Sequence, residues 1–214
     1  MVETDLIKED FYNSLLYLDK LKAREILKQP SNGLKLVDLI EKIVSSSLVR
    51  IGKEWEEGII SLSQVYMAGR ICEEIVDEIL PPASFARKDI PKTAIVTFED
   101  YHVLGKRIVY SILRASGFEL DDWGIGMDLN SIVKKVKNSG IEVLLVYTLM
   151  LNSALHIKDL ILKLKKENQE IKVIVGGAPF LFDDLLWKEV GAFAMGANAS
   201  DAITLLNNAG TAGK

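Results

Sequence analysis

Two histidines occur in the 214 residues of the chain, and one of them, His102, stands in the run Asp100-Tyr101-His102-Val103-Leu104-Gly105. In an extended loop, residues two apart point the same way, so Asp100 and His102 share a side. A carboxylate that accepts a hydrogen bond from one ring nitrogen fixes the imidazole tautomer and leaves the other nitrogen free to bind a metal. Gly105 adds a second element, because a glycine in the first turn of a following helix lets something large approach the backbone. The chemistry implied is metal ligation by one histidine, and a solvated loop histidine is the plain alternative.

The elements around this run must hold it in place. Before it, TAIVTF (93–98) reads as a short buried strand; after it, VLGKRIVYSILRAS (103–116) reads as a helix. Further strand patterns lie near Phe118 to Trp123, at Ile141 to Tyr147, in IKVIVGG (171–177) and in GAFAMG (191–196). Helical patterns follow in HIKDLILKLKKEN (156–168) and ASDAITLLNNAG (199–210), and the final GTAGK reads as a frayed tail. Strands alternating with helices imply a five-stranded parallel sheet covered on both faces. Ligands of such sheets bind beyond the carboxyl ends of the strands, where EDYHVLG, YTLMLNS, GGAP and GANAS stand.

The first 82 residues read differently, as helices only. LKLVDLIEKIVSSSLVRIGKEW, from Leu34, places Leu36, Leu39, Ile40, Ile43, Val44 and Leu48 on one face after an Asn32-Gly33 turn. SLSQVYMAGRICEEIVDEIL offers Ser61 as N-cap and Val65, Ile71, Ile75 and Ile79 for burial. Shorter helices are expected from Glu9 to Tyr17 and from Asp19 to Leu27, completing a four-helix bundle. Pro81-Pro82 stops the last helix, and 83–92, closed by Pro91, reads as a linker to a sheet domain over 93–214.

Composition excludes several functions. The chain is 49% hydrophobic and 26% charged with net charge −4, and no basic run interleaved with aromatics suits a phosphate backbone, so nucleic acid is not an expected partner. No apolar run reaches the roughly 20 residues that span a bilayer, and MVETDLIKED is too acidic for a signal peptide. The single cysteine, Cys72, excludes an internal disulfide framework and fits a cytoplasmic location.

Three readings compete for the strand-end loops. A phosphoacceptor receiver could use Glu99-Asp100, yet an aspartate after the third strand and a lysine after the fifth are missing. A dinucleotide site would need GxGxxG, and Gly124-Ile125-Gly126-Met127-Asp128-Leu129 lacks the third glycine. The third reading joins separate motifs. Asp100 to Gly105 resembles the DxHxxG motif of cobalamin-binding domains, whose SxL and GG motifs match here Tyr147-Thr148-Leu149, after 41 intervening residues, and Gly176-Gly177, after a further 26. Gly52-Lys53-Glu54-Trp55-Glu56-Glu57-Gly58-Ile59-Ile60 resembles the GxxWxxGxI of the helical bundle in methyltransferase corrinoid proteins, so the likeness covers nearly the whole chain.

The resemblance implies a helical bundle followed by a Rossmann-like, flavodoxin-type sheet that binds cobalamin, with His102 ligating cobalt from below and Asp100 tuning it. Tyr101, Val103, Leu104, Gly105, Tyr147, Thr148, Leu149, Gly176 and Gly177 would line the cofactor. Trp55 and Met67 would be either bundle core or contacts to its upper face. It further implies a methyl-carrier subunit, not a complete enzyme, served by a substrate-specific methyltransferase, an acceptor methyltransferase and a corrinoid reductive activator. A cobalamin-binding sensor or storage protein is the alternative. Light sensors of this layout carry a bundle histidine where Tyr66 stands, and a carbon-skeleton mutase subunit would lack the bundle. Two departures stand out: Tyr147 replaces the motif serine, with Thr148 as a substitute hydroxyl, and Glu99 replaces the usual preceding glycine. Cys72, Met150 and His156 are expected to be structural or solvated.

Overall fold

The structure is a computed structural model that describes residues 2–28, 40–79, 90–167 and 169–211. The chain divides into two compact units, Met1–Leu80 and Pro81–Lys214. Most of the expected linker, residues 83–89, lies outside the described residues, as does Pro81-Pro82.

In the first unit, α1 (Val2–Leu16) and α2 (Lys20–Lys28) are followed by a π-helical turn, Ile40–Ser45, running into α3 (Ser46–Glu56), and then by α4 (Leu62–Ile79). The helix expected from Leu34 is thus seen from Ile40 onward, first as a wide π turn over Ile40–Ser45; its earlier residues and the Asn32-Gly33 turn lie outside the described part. Phe11 and Leu15 of α1, Ile43 and Ile51, and Ala68, Cys72 and Ile75 of α4 are buried. Full burial of one such larger apolar side chain favours folding by about 1.5–3 kcal/mol. Ile71 is buried with Ile75, whereas Val65 and Ile79 are only partly covered. Ser61 caps α4 reciprocally: its Oγ accepts from the Gln64 amide at 3.3 Å, and Gln64 Oε1 accepts from the Ser61 amide at 2.9 Å.

The GxxWxxGxI stretch has a physical reading of its own. Gly58, at φ +73°, ends α3, with its amide bonded to Trp55 O at 2.9 Å and the Ile59 amide bonded to Glu54 O at 2.8 Å. This is the Schellman arrangement, in which a left-handed residue closes the orphan carbonyls of a helix end. Ile60 is then buried.

In the second unit, β1 (Thr93–Thr97), β2 (Leu120–Asp122), β3 (Val143–Tyr147), β4 (Lys172–Gly176) and β5 (Ala194–Gly196) form one parallel sheet in the order β2-β1-β3-β4-β5. This is the flavodoxin-type order, as expected. Between the strands run α5 (Leu104–Ala115), α6 (Leu129–Ser139), α7 (Leu151–Lys166), α8 (Ala178–Phe182) and α9 (Leu186–Glu189), and α10 (Ala199–Thr211) follows β5. Strand side chains alternate between two cores. Ile95, Leu145 and Ile174 pack with Leu113 of α5 and Leu206 of α10, while Val96, Val146 and Val175 pack with Val133 of α6 and Ile157 and Leu160 of α7. Sequence reading missed α6, although Asp128 caps it by accepting from the Asn130 and Ser131 amides and Gly140 ends it at φ +64°. It also began α7 at His156; the helix starts at Leu151, and its added turn buries Ser153 and Ala154.

Among the described residues of the helical unit, a titratable cluster gathers around Tyr12. The Tyr12 hydroxyl donates to Glu54, and the Arg50 guanidinium lies 3.6 Å from the Tyr12 ring centroid while bonding Glu9 and Glu54. Burial, then the bond to Glu54, pushes the Tyr12 phenol up from 10.0 to about 12. A raised folded-state value stabilises fully below the ordinary one and is lost as pH rises through the raised one. Alkaline titration followed by urea melts should therefore show stability falling between about pH 10 and pH 12, with a shallower fall in Tyr12→Phe. Equal slopes for the two proteins would show that this phenol is not coupled to folding.

Candidate functional site

The carboxyl ends of β1, β3 and β4 bring together the loops that carry all three motifs. β1 exits through Phe98 into Glu99, which holds φ +46° although it is not glycine. That left-handed conformation costs a non-glycine residue on the order of 1 kcal/mol, which gives a physical reason for a glycine to be usual before the motif aspartate. The turn is fixed from several sides. The Glu99 amide donates to Met127 O at 3.1 Å, its carbonyl accepts from Ser153 Oγ at 2.8 Å, and its carboxylate lies 3.0 Å from Nδ1 of His156.

Asp100 is the centre of the arrangement. Its side chain is 1% exposed, and four donors surround it. Oδ1 accepts from the His102 amide at 3.0 Å and lies 2.6 Å from His102 Nδ1; Oδ2 accepts from the Leu149 and Met150 amides at 2.6 and 2.9 Å. Burial pushes the carboxyl up, but the bonds from the amide and ring of His102 and from the amides of Met150 and Leu149 outweigh it and hold Asp100 below the usual carboxylate range. An ionised carboxylate only accepts, so the proton of the pair sits on Nδ1 of His102. In the neutral ring this leaves Nε2 with its lone pair, on a side chain that is 55% exposed.

The other expected residues distribute around this pair. Val103 and Leu104 open α5, and Gly105 lies in its first turn. Tyr101 is exposed, with its ring laid over the bare Gly126, where an added Cβ would meet it at 2.6 Å. The Gly126 amide also donates to Asp100 O at 2.9 Å, so the 124–128 loop, read above only as a failed dinucleotide motif, is part of the site. Leu149 contributes through its amide. So does Met150, which sequence reading set aside because an amide contact has no side-chain signature. The Thr148 hydroxyl, expected as a substitute for the motif serine, is buried with no partner among the described residues, and Asp100 is served by the two amides after it. Gly176 ends β4 and Gly177 precedes α8. Lys106, also missed, is buried and joins α5 to the end of β2 through Asp122 Oδ1 at 2.5 Å and Gly124 O at 3.2 Å. In the helical unit, Trp55 is 46% and Met67 40% exposed, which removes the reading of either as bundle core.

A family model described as "B12 binding domain" matches residues 92–206, and a second with the same description matches 7–80. The chain belongs to the B12-binding corrinoid protein family. It is 32% identical to monomethylamine corrinoid protein 2 of Methanosarcina barkeri over 79% of this chain and 81% of that one. It is 29% identical to trimethylamine corrinoid protein 2 of Methanosarcina mazei over 89% and 90%. The solved structure of the Methanosarcina barkeri monomethylamine corrinoid protein superposes with a TM-score of 0.81, at 26% identity, covering 95% of this chain and 99% of that one.

The cofactor of this corrinoid protein is cobalamin, and the residues present suit it. Among the described residues no group of three or more His, Cys, Asp or Glu could hold a bare metal ion. A single exposed imidazole with one nitrogen pinned suits a metal whose other positions a macrocycle already fills. Around it Tyr101, Ile125, Leu149, Met150 and Leu151 expose apolar surface, as a large flat ring requires. Thr97 and Thr148 keep buried hydroxyls without partners among the described residues. No described helix is long and apolar enough to cross a membrane.

Among the described glycines, Gly177 has the least room for a side chain. At φ +121° and ψ 173°, its added Cβ would lie 1.8 Å from Thr148 O. Gly177→Ala should cost about 3 kcal/mol or more in urea unfolding. A loss under about 1 kcal/mol would mean that the β4–α8 turn relaxes around the methyl group.

Proposed function

We propose that this corrinoid protein carries methyl groups, with His102 as the lower ligand of cobalt. The observation that carries the reading is the pinned imidazole: a buried Asp100 carboxylate holds the proton on Nδ1 and leaves Nε2 free and exposed. When bound, cobalamin supplies a cobalt centre able to accept a methyl group and give it up again. The chain's own residues do the rest. His102 would bind from below, Asp100 would raise the basicity of the ring by accepting from Nδ1, and the Leu149 and Met150 amides would keep Asp100 anionic and fixed. Because the Nδ1 proton lies in the hydrogen bond to Asp100, tighter or looser engagement of Nε2 would be accompanied by a small shift of that proton. Tyr101, Gly105, Leu149, Gly176 and Gly177 would line the cofactor, and Trp55 and Met67 are exposed on the helical unit.

A carrier of this kind needs partners at both ends. In this reading a substrate-specific methyltransferase loads the chain, an acceptor methyltransferase unloads it and an activator restores the reduced cofactor; the similarity to methylamine corrinoid proteins supports the carrier role. In this reading the methyl donor would be held by the loading methyltransferase.

The test is direct. The protein is loaded with hydroxocobalamin, reduced to its paramagnetic cobalt form and examined by electron paramagnetic resonance with and without isotope-labelled histidine. The nitrogen splitting should change with the label, and that dependence on the label should vanish in His102→Ala. Asp100→Asn should weaken retention of the corrinoid by about 10-fold or more. A splitting pattern indifferent to the histidine label would sink His102 ligation.

A further inference from the structure

The last row of the sheet on the α5 and α10 side reads Thr97, Tyr147, Gly176, Gly196. These residues are joined in register, Thr97 with Tyr147, Tyr147 with Gly176, and Gly176 with Gly196. Registered neighbours in a parallel sheet share a face, and the row two residues earlier, Ile95, Leu145 and Ile174, packs with α5 and α10. At Gly176 and Gly196 nothing projects into the space between sheet and helices. Gly105 of α5 bares the opposite wall. A Cβ on Gly176 would lie 3.1 Å from Gly196 O and one on Gly196 3.8 Å from Leu205 Cδ1 of α10, so what remains is a narrow slot between the end of the sheet and Gly105, filled by the ring of Tyr147. A Cβ on Gly105 would lie 2.5 Å from Tyr147 Cε2 and 2.8 Å from its hydroxyl oxygen, and one on Gly177 would lie 3.3 Å from the same Cε2. A second observation marks the slot as more than a packing gap. Thr97, in the same row and fully buried, has a hydroxyl with no partner among the described residues. A buried orphan hydroxyl costs about 1–3 kcal/mol unless something polar reaches it.

This inference rests on the cofactor reading given above. Cobalamin carries a nucleotide arm that hangs from the ring face to which a lower ligand binds. With His102 below the ring, that arm must either enter the protein beside His102 or stay outside, and the slot between Gly105 and the end of the sheet is the adjoining opening. We propose that Tyr147 is a specificity-determining residue whose ring keeps this slot closed to the nucleotide arm. The chain therefore gains nothing from the arm and takes corrinoids whose lower appendage is short or absent at least as well as cobalamin. A serine or threonine at this position, standing between Thr97 and Gly176, would open the slot, and an entering arm could then meet the Thr97 hydroxyl. The phenol hydroxyl is not required for closure; the volume of the ring is.

The experiment titrates the full chain with hydroxocobalamin and with aquated cobinamide, which has the same ring without the nucleotide, following tryptophan quenching and the visible spectrum. Wild type, Tyr147→Ser and Tyr147→Phe are compared through the ratio of the two affinities, so that the intrinsic tendency of each corrinoid to accept a histidine ligand cancels. Wild type and Tyr147→Phe should share one ratio, with cobinamide bound at least as tightly, and Tyr147→Ser should shift it tenfold or more toward cobalamin. Tyr147→Thr, whose branched side chain suits a strand, serves if the serine variant fails to fold. A ratio unchanged by the small residues, a wild type that already prefers cobalamin tenfold, or a shift in Tyr147→Phe equal to that in Tyr147→Ser would each overturn the role of the ring. Binding of neither corrinoid by any of the proteins would overturn the cofactor reading itself.

Discussion

One buried carboxylate organises the site. Asp100 is removed from water at the end of β1, and an anion there is tolerated only because four donors converge on it. Two come from His102, its backbone and its ring, and two from the amides that follow β3. The same bonds that make the charge affordable therefore join the first and third strand-end loops and set the tautomer of the imidazole. Position, protonation state and orientation of the candidate ligand are one problem with one solution.

The rest of the second unit serves that solution. The sheet places β1 and β3 side by side, so Asp100 can meet residues 149 and 150 although some fifty positions separate them in sequence. Glu99 is held in a left-handed turn by Met127 and Ser153, and the buried Lys106 bolts the first turn of α5 to the end of β2. The loop through Gly126 lies against both Tyr101 and the carbonyl of Asp100. Each is a local cost or constraint accepted where the backbone must present one imidazole at a fixed angle.

Glycine plays two distinct roles here. Gly177 and Gly58 adopt conformations that a side chain resists, one at the β4–α8 turn and one closing α3. Gly105 instead leaves room, and in this chain the Tyr147 ring projects into that room. A substitution in a motif need not abolish a site; it can change what the site admits. Here the missing serine leaves Asp100 satisfied, because backbone amides supply the bonds.

Much of this was legible in the sequence. Strand and helix alternation follows from apolar periodicity, and the pairing of Asp100 with His102 follows from a two-residue spacing in one loop, so both are local properties of the chain. Capping of α6 by Asp128 was written just as locally, but it went unread beside a weak strand and a glycine-rich loop. What only the tertiary structure decided is where non-local backbone goes. That Leu149 and Met150 donate to Asp100 while the Thr148 hydroxyl does not, and that the Tyr147 ring crosses to Gly105, depends on the register of β1, β3 and β4. Side-chain type encodes neither an amide's partner nor the empty volume opposite a glycine; those arise only when distant segments are brought to one edge of the sheet.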